Sequence, residues 1–188
     1  MHHFRPHILP LFWLLFVANA LFAQSQPASD SLAFPASWAG VWSGKLEIYN
    51  AKGLAQTIPM SLEISKLDTS TTGRYTWGMV YVSKEKDWRP YELVPVDPAK
   101  GLWRVDEKNS IQMESYLFGQ KLLCWFVVQG SRILCTYEKT GPNEMVFEVM
   151  SGAEKPASTT GNTKQADEDI PEVKTYPFAG FQRAVLHK

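Results

Sequence analysis

From Trp38 onward the chain alternates apolar and polar side chains with a period of two, the spacing that places one set on each face of a β-strand. Trp42, Leu46 and Ile48 fall on one face, and Ser43, Lys45 and Glu47 on the other. Within 57–66, Met60, Leu62 and Ile64 oppose Ser61, Glu63 and Ser65, and a polar turn over 68–73 follows. Residues 74–82 present Tyr75, Trp77, Met79 and Tyr81 on one face, after which 84–87 break the pattern. Shorter strands are predicted over 91–96, closed by Asp97-Pro98, and over 102–106. Ile111, Met113 and Leu117 alternate with Gln112, Glu114 and Tyr116. An apolar run over 122–128 comes next and a strand over 132–138 answers it, and Met145, Phe147 and Val149 then alternate with Val146 and Glu148. Strand signals with a turn every ten residues or so, and no amphipathic helix between 36 and 150, predict an all-β fold. The expected form is a single antiparallel up-and-down barrel of about 8–10 strands, whose interior is either solid or holds one small ligand.

The ends differ from this middle. Residues 1–23 read as a signal peptide: His2, His3, Arg5 and His7 precede an apolar stretch from Ile8 to Val17, and Ala18, Ala20 and Ala23 offer cleavage sites before Leu21 or Gln24. That stretch is too short to span a bilayer comfortably, so no integral membrane span is expected after cleavage and the product is expected in the periplasm or outside the cell. Residues 24–35 then form a linker and 36–150 the barrel domain. Residues 151–172, rich in Ser, Thr, Gly, Lys, Asp and Glu, read as a flexible polar excursion. Val173, Tyr176, Phe178, Phe181, Val185 and Leu186 restore apolar character over 173–188. This last segment is expected to return to the barrel, as a further strand or as a short helix over one mouth.

The 19 Lys and Arg balance the 19 Asp and Glu, and cleavage would remove only Arg5 from that balance. So neutral a chain gives no electrostatic reason to expect nucleic acid as a partner. Export would place Cys124 and Cys135 in an oxidising compartment. A hairpin turn at Gln129-Gly130 sets Val128 opposite Ser131 and therefore Cys124 opposite Cys135. They are either a disulfide or two buried thiols acting as small hydrophobes.

Trp38-Ala39-Gly40-Val41-Trp42 resembles the Gly-x-Trp opening of the calycin group, which includes lipocalins and fatty-acid-binding proteins. The resemblance implies an eight- to ten-stranded barrel that carries small apolar molecules, with the tryptophan closing one end. It also implies a last-strand arginine packed over that tryptophan, and Arg183 stands in the comparable position. Lipocalins place a helix between the last strands; here the polar excursion stands in its place.

Catalytic residues are not indicated. His187 is the one histidine outside 1–23, which leaves no nucleophile–base pairing of the Ser/His or Cys/His kind. No metal-ligand spacing and no glycine-rich phosphate loop occur, and no cofactor is implied. Asp106-Glu107, adjacent in a turn with Glu114 on the next strand, are read as solvated turn acids and not as a catalytic carboxylate pair. The chain is therefore expected to be a binding protein and not an enzyme. Its candidate ligand-binding residues are Trp42, Tyr75, Trp77, Met79, Tyr81, Trp103, Met113 and Phe147, all on inward faces. They either line a cavity for a small apolar molecule or fill a solid core. In the second case the protein is a scaffolding or protein-binding module, using exposed loop aromatics such as Trp88 and Tyr91. The outer face of the 122–128 run, Leu123, Trp125 and Val127, calls for a cover, from the C-terminal segment or from a second copy in a homodimer. A lipid-embedded barrel would show the same alternation inverted, and the shortness of 91–96 and 102–106 argues against it.

Overall fold

The structure, a computed structural model, describes residues 33–67 and 73–188. The segments read as signal peptide and most of the linker lie outside the described residues. Ten strands close into an antiparallel barrel: β1 (Gly40–Asn50), β2 (Gly53–Ile64), β3 (Tyr75–Tyr81), β4 (Asp87–Asp97), β5 (Leu102–Asp106), β6 (Gln112–Phe118), β7 (Lys121–Val128), β8 (Ser131–Gly141), β9 (Glu144–Ala153) and β14 (Gly180–His187). Neighbours in sequence pair from β1 to β9, and β14 fills the gap between β9 and β1. Each of the ten barrel strands thus has a neighbour on both sides, and the barrel has no edge strand.

The polar stretch 151–172 does not lack secondary structure. It carries β10 (Ser158–Thr160), β11 (Thr163–Gln165), β12 (Glu168–Ile170) and, just beyond it, β13 (Val173–Thr175). β10 pairs with β13 and β11 with β12, so the chain leaves and returns as one extended hairpin. Its side chains are almost all exposed. Backbone pairing and turns hold it, which is why no apolar pattern announced it. The terminal segment ends as a strand, not a helix, with Ala184 opposite both Leu46 and Phe147.

The barrel has two ends. At one, a 3₁₀ turn over Ala36–Trp38 drives Trp38 into the interior, where it is fully buried. Trp42 Nε1 donates to Trp38 O at 2.7 Å, and Lys139 Nζ donates to Ser37 O at 2.9 Å. Phe34 packs edge-on against both Trp38 and Trp103, and Trp38 stacks on Trp77. Aromatic rings therefore seal this end. The cation over Trp42 is Lys188, 5.3 Å from the ring centre. Arg183 points outward instead and pairs with Glu148 at 3.4 Å. The reason is parity: residues 182, 184, 186 and 188 share the inward side of β14, and 183 lies on the other. Gly40, at φ +141°, leaves the space that the Lys188 side chain occupies; a Cβ there would collide with it.

The β7–β8 hairpin turns at Gln129 and Gly130, both at positive φ, as a two-residue type I′ turn requires. Val128 pairs with Ser131 and Cys124 with Cys135. The register is as expected, yet the disulfide is not formed and both cysteines are free. Ser115 stands opposite Cys124 across the β6–β7 ladder, and burial raises both thiols. The outer face of β7 is only partly covered. Tyr176 stacks on Arg132, whose guanidinium lies 3.7 Å from its ring centre, and Pro177 and Phe178 flank Leu134 and Met150. Trp125 stays 68% exposed.

Candidate functional site

The interior is solid at the sealed end and hollow at the other. Of the residues expected to line a site, Trp42, Tyr75, Trp77 and Trp103 belong to the sealed half, all buried in the aromatic core. Met79, Tyr81, Met113 and Phe147 line a cavity of about 380 Å³, within the size range of small-molecule sites. The division follows position along each strand. On β3, Tyr75 and Trp77 lie toward the Trp38 seal, whereas Met79 and Tyr81 lie two and four residues nearer the open end. The two readings of the interior, cavity and filled core, each hold for half of it.

The cavity wall is mostly apolar, with Ile48, Ile58, Val105, Phe126, Ile133 and Val149 among its residues. Polar groups cluster in two places. At the mouth, Arg89 grips Asp87 in a two-point contact, Nε to Oδ1 and Nη2 to Oδ2, both at 3.0 Å. This contact holds the Asp87 carboxyl below its ordinary range and raises the guanidinium still further. The Arg89 guanidinium also covers the Tyr81 ring at 4.7 Å. Tyr91, Glu107 and Gln182 complete the mouth. Burial raises the Tyr91 hydroxyl, and the Glu107 carboxylate beside it raises it more.

At the floor, the Tyr137 hydroxyl donates to Met79 Sδ at 3.2 Å. Its ring stands edge-on to Trp77 and tilts against Phe147. Burial pushes the Tyr137 and Tyr81 hydroxyls well up and lifts the Cys135 thiol to about 12. Trp77 Nε1 is buried and makes no hydrogen bond, although it lies near enough to Tyr137 to favour that hydroxyl's anion.

Sequence reasoning missed the mouth because β4 begins earlier than expected. Residues 84–87 and the charged, proline-bearing Asp87-Trp88-Arg89-Pro90 read as a break, and the strand was expected over 91–96. In the structure Asp87, Arg89, Tyr91 and Leu93 pair with Tyr81, Met79, Trp77 and Tyr75 and share their inward face. Tyr91 is thus a cavity residue on a strand and not an exposed loop aromatic, while Trp88 faces outward at 50% exposure. The overlooked signal was a salt-bridging pair two residues apart, which alternates as a strand does while carrying charge. Tyr137 was missed for a simpler reason: 132–138 is apolar or polar without a clean period.

No family model and no curated protein sequence matches the chain. Among solved structures, an S-type phycobiliprotein lyase from Guillardia theta matches 81% of this chain over 89% of its own at a TM-score of 0.50, with 8% sequence identity. The fold is a calycin-like barrel. A second structure, EF1p2_mFAP2b bound to DFHBI, aligns over 81% of this chain and 94% of its own, at a TM-score of 0.33 and 10% identity. At such identities the likeness is one of fold. For the lyase it rests on the closed antiparallel up-and-down barrel.

Proposed function

We propose that this calycin-like barrel is an exported binding protein that holds one small, largely apolar molecule in its open half. The carrying observation is the cavity of about 380 Å³, apolar on its walls and polar at floor and mouth. That combination is typical of sites that take a ligand by burial and orient it with a few polar contacts. The outside of the barrel bears ion pairs such as Arg74–Glu92, Lys84–Glu63 and Lys121–Glu138, the reverse of a barrel whose outer band faces lipid. Binding without turnover is supported by the raised Cys135 thiol and tyrosine hydroxyls, since a proton held that firmly makes a poor nucleophile. Export rests on the sequence of residues 1–23. N-terminal sequencing of the exported protein is expected to begin at Leu21 or Gln24; a chain beginning at Met1 would contradict it. Native mass spectrometry of protein purified without detergent is expected to show a single co-purified adduct, removed by denaturation. A bare mass, with no apolar probe taken up by the folded protein, would overturn the binding reading.

One observation favours a protein partner as well. Trp125, Val127 and Phe178 are 68%, 47% and 79% exposed on neighbouring parts of the outer surface. We propose that this face mediates self-association. Sedimentation analysis is expected to show a dimer that Trp125→Glu converts to monomer.

A further inference from the structure

The two polar clusters of the cavity differ in what they offer a ligand. Around the mouth lie two carboxylates, Asp87 and Glu107, and one cation, Arg89. That cation is already engaged at both Nε and Nη2 by Asp87. An anionic head group there would find only the remaining edge of a guanidinium already neutralised by Asp87, with the Glu107 carboxylate repelling the incoming charge. Among the described residues the remaining cavity wall carries no lysine, arginine or histidine, so none of them supplies a second cation deeper in.

The floor offers donors without a matching acceptor. Tyr137 is 4% exposed and lines the cavity. The acceptor its hydroxyl finds is the thioether of Met79, a weak one. Trp77 Nε1, directly behind it, has none. Buried donors left this way are costly unless something supplies an acceptor. A ligand oxygen at the floor would take the Tyr137 proton, and the tyrosine oxygen could then accept from Trp77 Nε1. The rest of the cavity lining suits a flat, polarisable body: the rings of Phe126, Phe147 and Tyr81 and the sulfurs of Met79, Met113 and Cys124, which interact favourably with aromatic edges and faces.

We propose that the ligand is an uncharged aromatic molecule bearing a carbonyl or ether oxygen, of the aryl ketone or quinone class, which enters oxygen-first and accepts a hydrogen bond from Tyr137. This inference rests on the reading of the cavity as a binding site and narrows it to a chemical class. It disfavours the fatty-acid anion, because the one cation among the described lining residues, Arg89, is already paired with Asp87 and has Glu107 nearby.

The test uses three fluorescent probes on the full-length mature protein: the uncharged naphthyl ketone prodan, the hydrocarbon diphenylhexatriene and the anion anilinonaphthalene sulfonate. Wild-type protein is expected to bind prodan tightest and the anion weakest. Tyr137→Phe, which removes one hydroxyl and keeps the ring, is expected to weaken prodan roughly threefold to tenfold, the loss of one neutral hydrogen bond, and to leave diphenylhexatriene unchanged. A second measurement needs no variant. The carbonyl stretch of prodan bound to wild type is expected at lower frequency than in hydrocarbon solvent, as for a hydrogen-bonded carbonyl. Tighter binding of the anion, equal losses of ketone and hydrocarbon in the variant, or an unshifted carbonyl stretch would each overturn the assignment while leaving a binding cavity. Failure of all three probes to bind would overturn the binding reading itself, and the assignment with it.

Discussion

Trp42 shows how one side chain couples the seal to the barrel. Its ring fills the closed end and its Nε1 satisfies the carbonyl of Trp38, so it joins the 3₁₀ turn to β1. Trp42→Ala is expected to destabilise the fold by about 3–5 kcal/mol, as for emptying a buried aromatic site. Trp42→Phe is expected to cost less, about 1–3 kcal/mol, chiefly through the unpaired Trp38 carbonyl. Urea unfolding of the two variants checks both. Lys188, itself exposed, lies over the same buried ring, and Lys188→Ala is expected to cost under about 1 kcal/mol. The cavity thiol gives a pH signature. Burial holds the Cys135 proton up to about 12, against an ordinary value of 9.0. Below pH 9 both folded and unfolded chains keep that proton and its contribution to stability is constant. Between pH 9 and 12 the unfolded chain releases it while the folded chain does not, so stability falls as pH rises. Tyr81 and Tyr137, raised by the same burial, add to the fall above pH 10. Melting temperatures measured from pH 7 to 10.5 are expected to decline from about pH 9, and Cys135→Ala is expected to flatten the first part of that decline.

Among the elements, β14 and the extended hairpin before it make opposite contributions. β14 pairs along its whole length with β1 on one side and β9 on the other. Truncation after Met150 removes it and leaves two edges unpaired, with Leu46 and Phe147 uncovered. Loss of cooperative unfolding and aggregation are the expected results, read by circular dichroism melts and size-exclusion chromatography. The hairpin holds together mainly by its own strand pairs, at Ser158–Thr160 with Val173–Thr175 and at Thr163–Gln165 with Glu168–Ile170. Replacing residues 160–173 by an Asn-Gly turn between Thr159 and Lys174 is expected to move the melting temperature by no more than a few degrees, because those residues bury little. A large drop would mean that the hairpin supports the barrel.

For the whole molecule, a barrel that is half core and half cavity links stability to occupancy. The sealed half supplies the packing, and the hollow half forgoes contacts that a ligand would restore. A bound molecule therefore stabilises the folded state, by about 2.7 kcal/mol when its free concentration is a hundredfold above its Kd. Prodan titrated into the protein is expected to raise the melting temperature in step with probe fluorescence. A rise of equal size in a variant with a filled cavity, such as Val149→Phe, would assign the effect to the surface.

The alternation of Trp42, Leu46, Met60, Leu62, Trp77, Met79, Phe147 and Leu186 with polar neighbours determined strands, inward faces and the up-and-down barrel, because a strand has only two sides and water selects one. The Gln129-Gly130 turn likewise determined that Cys124 faces Cys135, since a two-residue loop fixes register. Other features depended on where along the barrel each residue lies, which a period of two does not encode. Trp77 became core and Met79 cavity although they are two residues apart on one face, because the Trp38 seal fills one end only. Lys188 and not Arg183 covers Trp42, because β14 is held in register by two neighbours at once. The inward pair Asp87–Arg89 is tolerated because both charges neutralise each other at the rim, a compensation between side chains that no hydrophobic pattern records. That Cys124 and Cys135 remain free thiols although they face each other is a matter of side-chain placement, which register alone does not record.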